Sequence, residues 1–236
     1  MTHLFITRLA VAKVHPGHPT ASPDRIRAII KLWLEKASLF YTEQTQRSEF
    51  KVVLLYDSLH EATVKEFSYP AWAEPTVQPF QCWLGQQKFA GKPVTLSRVD
   101  ADDSYSVDFF AYLDSLDFEA PRTLILHKKY LQYNMSSKLM LGPLHHYTPH
   151  FATLHFQSFP DFGQPNIEPL MRGDSVLHGI FGNHGSYHSR PHVTSPQCFA
   201  LERITGWNVY NRFGKVFEKK VETEPYAELN ERFVGY

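Results

Sequence analysis

The sequence predicts an α/β fold: a Rossmann-like, mostly parallel central sheet flanked by helices, with a small β-hairpin region. Three observations carry that reading. Residues 50–56 (FKVVLLY) are apolar without alternation, the pattern of a strand buried on both faces, as parallel strands are. From Leu4 to Tyr56 the order is strand, loop, helix, strand, which is a βαβ unit with an expected right-handed crossover. Finally, Val94, Leu96 and Val99 make a short β-type run that stops at three close acids, Asp100, Asp102 and Asp103, before a helical pattern resumes.

Taken in order, residues 4–9 are the first strand, with Thr7 and Arg8 at its end. His15, Pro16, Gly17, His18 and Pro19 then break any regular element and predict a loop. Ser22 and Pro23 are an N-cap and first-turn pair. Behind them Ile26, Ile29, Ile30, Trp33, Leu34, Ala37 and Phe40 recur at helical spacing as one broad buried face. Asp57 follows the second strand, at the same sheet edge as Thr7, where it either caps the next helix, expected over residues 59–67, or faces a ligand. Prolines and glycines interrupt the aromatic residues 68–93, leaving at most one short element around residues 78–84. After the acids, Ser104 is placed as the N-cap of a helix buried through Phe109, Phe110, Leu113 and Leu116. Residues 122–133 are rich in β-formers, residues 134–137 (NMSS) form a turn and residues 138–141 return, which is a hairpin. Residues 152–156 are another strand. Ser195 and Pro196 open a last helix through Phe199, Leu201 and Ile204, with Gly206 as its C-terminal cap. Asn208 and Asn211 follow in a turn, and the final residues are a docked tail.

Composition narrows the classes. The 236 residues are 43% hydrophobic and 14% aromatic, enough to bury a real core. Formal net charge is zero, so the electrostatic footprint of a nucleic-acid binder is missing. There is no apolar run long enough to span a membrane, only two cysteines and no secretory pattern. The expectation is a single domain, residues 1–236, in the cytoplasm.

The acids lie where a strand ends and a helix begins, the edge at which open α/β sheets bind ligands. Carboxylates this close repel one another, and a divalent cation resolves the conflict because hard oxygen ligands suit Mg2+ or Mn2+. A solvated acidic loop is the other reading. Arg98 lies two residues before Asp100, where its guanidinium can pair with a carboxylate, hold a diphosphate, or both. Of the histidines between His145 and His192, none has the spacing of a structural zinc site.

The segment SRVDADDS, with its strand before and DFF helix after, resembles the D-x-D segment of GT-A-type glycosyltransferases, and more narrowly that of the rhamnosyltransferase family. ITRL at Ile6 to Leu9 is similar to that family's opening strand. ALERITGWNVYNRF, from Ala200 to Phe213, is similar to its closing block, with departures at Phe199, Glu202 and Thr205. The resemblance implies a GT-A-like domain with a nucleotide-binding half (1–116) and an acceptor-binding half (117–236). It implies a metal-dependent transferase moving a sugar, rhamnose by the family label, from a UDP- or dTDP-linked donor to a glycan or other hydroxyl acceptor. Thr7, Arg8, Asp57, Arg98 and Asp100 would hold the nucleotide sugar. Asp102 would bind Mn2+ or Mg2+, and His184, between Gly182 and Gly185, would complete the metal shell, with His188 and His192 as runners-up. For the general base, Asp161, Glu168 and Asp174 are all placed in the loop region, and Asp174 is favoured because Gly173 leaves it accessible and His184 is close in sequence. Two rivals are an inactive relative of the same fold and a glycoside hydrolase, which needs two flanking carboxylates and no nucleotide.

Overall fold

The computed structural model describes residues 1–10, 21–77, 83, 87–145, 151–159, 192–205, 215–216, 219–220 and 232–234. Along the chain the strands are β1 (Thr2–Ala10), β2 (Glu49–Tyr56), β3 (Ala73–Val77), β4 (Val94–Asp100), β5 (Ser104–Tyr105), β6 (Arg122–Leu126), β7 (Lys129–Asn134), β8 (Leu139–His145), β9 (Ala152–Phe156), β10 (Val193–Thr194) and β11 (Ala200–Ile204). A short pair, β12 (Lys215–Val216) and β13 (Lys219–Lys220), stands apart. The helices are α1 (Pro23–Leu32), α2 (Leu39–Thr42), α3 (Glu61–Val64) and α4 (Phe109–Asp114). A π-helical turn, Trp33–Ala37, joins α1 to α2.

The central sheet has seven strands in the order β10-β6-β9-β4-β1-β2-β3. β1 lies between β2 and β4 and runs parallel to both, and β3 is parallel to β2. β9 is antiparallel to β4 and to β6, so β6 runs with β4, and β10 runs with β6. Every strand but β9 therefore shares one direction, the mostly parallel α/β sheet that the βαβ pattern predicts. Both faces are covered. Phe5, Val52, Leu54 and Val99 pack with Ile26, Ile30, Trp33, Phe40, Phe109 and Phe110 from the helices. Leu4, Ile6, Val53, Leu55, Val94 and Leu96 pack on the other side with Trp83, Phe89 and Phe159. Two-sided burial is why these strands read as continuous apolar runs.

Local signals set the first helix. The Ser22 hydroxyl accepts from the Arg25 N–H at 3.3 Å, and Pro23 occupies the first turn. The hairpin turn also forms as expected: the Asn134 side-chain oxygen accepts from the N–H groups of Ser136 (2.9 Å) and Ser137 (3.0 Å), an Asx-type turn between β7 and β8.

Four expectations are corrected. Ser104 is not a helix cap: it is fully buried in β5, which pairs with β11, and α4 begins only at Phe109. Residues 195–204 do not form a helix, since β10 and β11 are extended and β11 is inserted between β5 and β7 in a second sheet, order β5-β11-β7-β8. Residues 122–133 divide between the two sheets as β6 and β7 instead of running through as one strand. The helix after Asp57 is shorter than residues 59–67, a 3-10 turn Ser58–His60 followed by α3, and the Asp57 side chain makes no capping bond there. The common reason is that non-local pairing overrides local periodicity. The loop 11–20, most of residues 78–84, and the stretch containing Gly206, Asn208 and Asn211 lie outside the described residues.

Candidate functional site

Parallel strands deliver their carboxyl ends to one edge. Arg8 on β1 stands opposite Leu55 of β2 and Asp100 of β4, and Ala10 stands opposite Tyr56. Asp57, directly after Tyr56, and Asp100, the last residue of β4, therefore share that edge. Arg98 and Leu126 face the same residue, Ala152 of β9, so His127 and Lys128 also follow a strand that ends there. Thr7 is one residue deeper in β1 and fully buried.

At this edge Asp100 is held by two arginines. Arg8 is bidentate, with Nη2 at 2.9 Å from Oδ1 and 3.0 Å from Oδ2, and Nε at 3.2 Å from Oδ1. Nη2 of Arg98, a nearly fully buried side chain, lies 3.6 Å from Oδ1. Fork-shaped guanidinium contact of this kind orients a carboxylate as well as neutralising it.

Asp102 is in the opposite situation. It is half-buried in the turn after β4, and among the described residues no side chain donates a hydrogen bond to its carboxylate, although the buried Arg203 guanidinium is near enough to attract it. Burial, then the charges of Asp103 and Asp100, then that of Glu202, push this carboxyl well above the usual carboxylate range. Asp103 is buried and accepts from the Arg203 N–H through Oδ1 at 2.9 Å. Of the three acids, one is neutralised by arginine, one is turned onto β11, and one has no hydrogen-bonding side chain, with its charged form disfavoured by burial and by the neighbouring acids.

A second buried network lies beneath. Gln132 of β7 donates to Glu202 at 2.8 Å, and both side chains are nearly fully buried. Sequence reasoning missed Arg203, whose only cue was a charged pair, Glu202-Arg203, between the apolar Leu201 and Ile204. It also missed His127, which is buried among Tyr105, Phe109 and Phe199, with Nε2 3.0 Å from the Thr153 hydroxyl. Burial pushes that imidazole down to about 3.

Among the described residues no group of three or more His, Cys, Asp or Glu side chains is arranged to hold a metal ion. Of the three acids after β4, Asp102 is the one whose carboxylate has no hydrogen-bonding side chain among the described residues. That fits Mg2+ or Mn2+ held by one carboxylate plus the phosphates of a ligand, the usual manner for Mg2+, and does not fit an all-protein cage. His184, Asp161, Glu168 and Asp174 lie outside the described residues, as do His178 and His188. His192 is described and lies 3.2 Å from the Lys128 ammonium through Nε2. No helix among the described residues is long and apolar enough to cross a membrane.

No protein-family model matches the chain, and no curated protein matches it. Among solved structures the chain is similar to residues 1–349 of TarS from S. aureus, at 12% identity over 86% of this chain and 60% of that one, with a TM-score of 0.44. The TarS structure in complex with UDP-GlcNAc gives 12% identity, 86% and 58% coverage, and a TM-score of 0.43. HddC from Yersinia pseudotuberculosis complexed with GMP-PN gives 7% identity, 86% and 90% coverage, and a TM-score of 0.40. The chain spans about three-fifths of the TarS structures that it matches. Similarity this distant assigns neither a family nor an activity.

Proposed function

We propose that the chain is a GT-A-type glycosyltransferase that uses a nucleotide-diphosphate sugar, UDP- or dTDP-linked, together with Mn2+ or Mg2+. The observation that carries this reading is Asp102: a half-buried carboxylate on the carboxyl edge, crowded by negative charge and with no side chain hydrogen-bonded to it among the described residues. Such a group is costly to maintain unless a cation joins it. Its neighbour Asp100 is already neutralised, so a divalent ion at Asp102 would be completed by phosphate oxygens rather than by more protein. That makes metal and nucleotide diphosphate bind together.

In this proposal Asp102 holds the cation, which as a Lewis acid would offset charge building on the leaving diphosphate. His184 is proposed as a further ligand. Arg8 and Arg98 hold Asp100 rigid, and Arg8, the more exposed of the two, presents cationic surface to the nucleotide sugar, with Arg98, Thr7 and Asp57 proposed beside it on the same edge. Asp174 is proposed as the general base that takes the proton from the acceptor hydroxyl, a role that contributes roughly a hundred- to ten-thousand-fold in rate. Rhamnose as the sugar and a glycan as the acceptor are the finer part of the proposal and come from the resemblance of the D-x-D segment.

The test is thermal unfolding with UDP or dTDP, with and without Mn2+. Nucleotide and metal together should stabilise the protein, by about 2.7 kcal/mol at a hundred times the dissociation constant, and neither alone should do so fully. Equal stabilisation with and without Mn2+ would remove the metal from the site, and no stabilisation by either nucleotide would remove the transferase reading.

A further inference from the structure

The loop that carries Asp102 is fastened from one side by a single buried residue. Arg203 is fully buried on β11. Its Nη1 donates to the main-chain oxygen of Asp102 at 3.1 Å and to the Ser104 hydroxyl at 3.1 Å. Its own N–H donates to the Asp103 carboxylate at 2.9 Å. Three consecutive loop residues are thus held by one side chain and its backbone. The loop adds one bond of its own, from the Asp103 N–H to the Asp100 carbonyl at 3.1 Å, and β5 continues it into the ladder with β11 through Ser104 and Tyr105.

We infer that Arg203 is a positioning residue for the candidate site: it fixes the main chain at Asp102, and so fixes where that carboxylate stands at the sheet edge. The inference rests on the reading of Asp102 proposed above. Charge balance alone does not explain the geometry, because the buried guanidinium donates to the Asp102 carbonyl and the Ser104 hydroxyl and leaves the Asp103 carboxylate to the Arg203 main-chain N–H. The contact to Asp102 goes to its carbonyl, which leaves the carboxylate uncommitted. The rigid planar fork holds these acceptors from two nitrogens at a fixed separation, which the single nitrogen of an ammonium does not reproduce. Groups that orient a metal ligand in this way have large effects although they never touch the metal.

The same guanidinium reaches the C-terminal segment, donating from Nη2 to the Val234 carbonyl at 3.0 Å. That segment has a second, separate anchor. The Val107 N–H donates to the Arg232 carbonyl at 2.8 Å, and the Arg232 guanidinium pairs with Asp108 at 2.7 Å. Arg232→Ala therefore loosens the segment without touching Asp102, which makes it the control.

The experiment is a Mn2+ titration at fixed UDP, followed by calorimetry, on the full chain and on Arg203→Lys, Ser104→Ala and Arg232→Ala. Arg203→Lys should weaken Mn2+ affinity roughly 10- to 100-fold, with nucleotide binding recovered at saturating Mn2+. Ser104→Ala, which keeps the buried charge, should shift affinity in the same direction by less. Arg232→Ala should lower the melting temperature and leave Mn2+ affinity unchanged. Unchanged Mn2+ affinity in a folded Arg203→Lys protein overturns the inference, and so does an equal loss in Arg232→Ala. If Arg203→Lys does not fold, Ser104→Ala decides, and wild-type affinity there overturns it. Absence of Mn2+-dependent UDP binding in the wild-type chain overturns the transferase reading itself and the inference with it.

Discussion

At Asp102 the carboxylate stands near Asp103, Asp100 and Glu202, and its protonation is favoured by burial and by each of those charges. Placing an acid where its charged form is disfavoured costs stability that function can recover on binding a cation. Asp102→Asn removes the repulsion with little change of shape. We predict that it abolishes Mn2+-dependent nucleotide binding and raises the melting temperature of the ligand-free protein by about 2–4 °C, the shift that about 1 kcal/mol makes in a domain of this size. Calorimetry and thermal unfolding on one preparation test both halves, and an unchanged or lower melting temperature would mean that the acid is satisfied without metal. Two other residues fix the pH response. His3, fully buried between Thr95 and Asp114, is lowered to about 4, mainly by burial, and His127 is lowered to about 3 by burial. Both are neutral when folded, while the unfolded chain takes up protons below about 6.5. Their contribution to stability is therefore full above pH 6.5 and is lost as pH drops toward 4, by up to about 1.4 kcal/mol per pH unit for each proton. Urea unfolding at pH 7.5, 6 and 5 should show that slope, and His127→Gln should reduce it. At this scale the sequence displayed the acid cluster openly, because three carboxylates in one short turn need no tertiary information to be noticed. It did not display which acid each arginine takes, since Arg8 and Asp100 meet only across a strand pair.

Elements differ in how far their own residues determine them. α1 was legible because a Ser-Pro start and a three-four apolar repeat are local signals, and β2 because burial on both faces leaves an unbroken apolar run. β11 was not legible. Phe199, Leu201 and Ile204 fit a helix loosely, and what makes this segment a strand is its pairing with β7 from Ala200 through Ile204 and with β5 at Ala200 and Leu201. Its charged pair is accommodated by Gln132, Asp103, Ser104 and the Asp102 carbonyl, all distant in sequence. The β7–β8 hairpin shows the intermediate case. Its turn was readable from Asn134, but the register shift between Tyr130 and Gln132 was not. Gly142 lies in β8 near that shift with φ +133°, and a Cβ there would come 2.9 Å from Leu131 Cδ2 and 3.0 Å from both the Leu144 nitrogen and the Tyr130 carbonyl. Two of those neighbours are backbone and do not yield. Gly142→Ala should therefore cost about 1–3 kcal/mol, seen as a lower urea midpoint at unchanged slope. A midpoint equal to wild type would show that the hairpin shifts freely and supports nothing above it.

For the whole molecule the direction of the sheet decides where a ligand can act, and the two edges compete. The amino edge carries an open cleft of about 610 Å3 lined by Thr2, Gln46, Ser48, Glu49, Lys92 and Asp114. Its polar groups are largely satisfied by one another: Gln46 and Ser48 both donate to Asp114, Thr2 donates to Glu49, and His3 faces Asp114. The carboxyl edge holds the uncommitted acid, the arginine pair and Asp57, the arrangement expected where open α/β sheets bind ligands. Volume alone gives no specificity, whereas placed charge and polar groups do. We therefore predict that hydrogen exchange with UDP and Mn2+ slows at residues 7–10, 57–60 and 98–104, while residues 46–49, 92–93 and 114 exchange as in the free protein. Asp102→Asn should abolish the protection at the carboxyl edge without altering exchange at the amino edge. Protection confined to the amino edge would move the nucleotide to the cleft and leave Asp102 as a solvated loop acid, with Arg203 serving only to pack the turn that carries it.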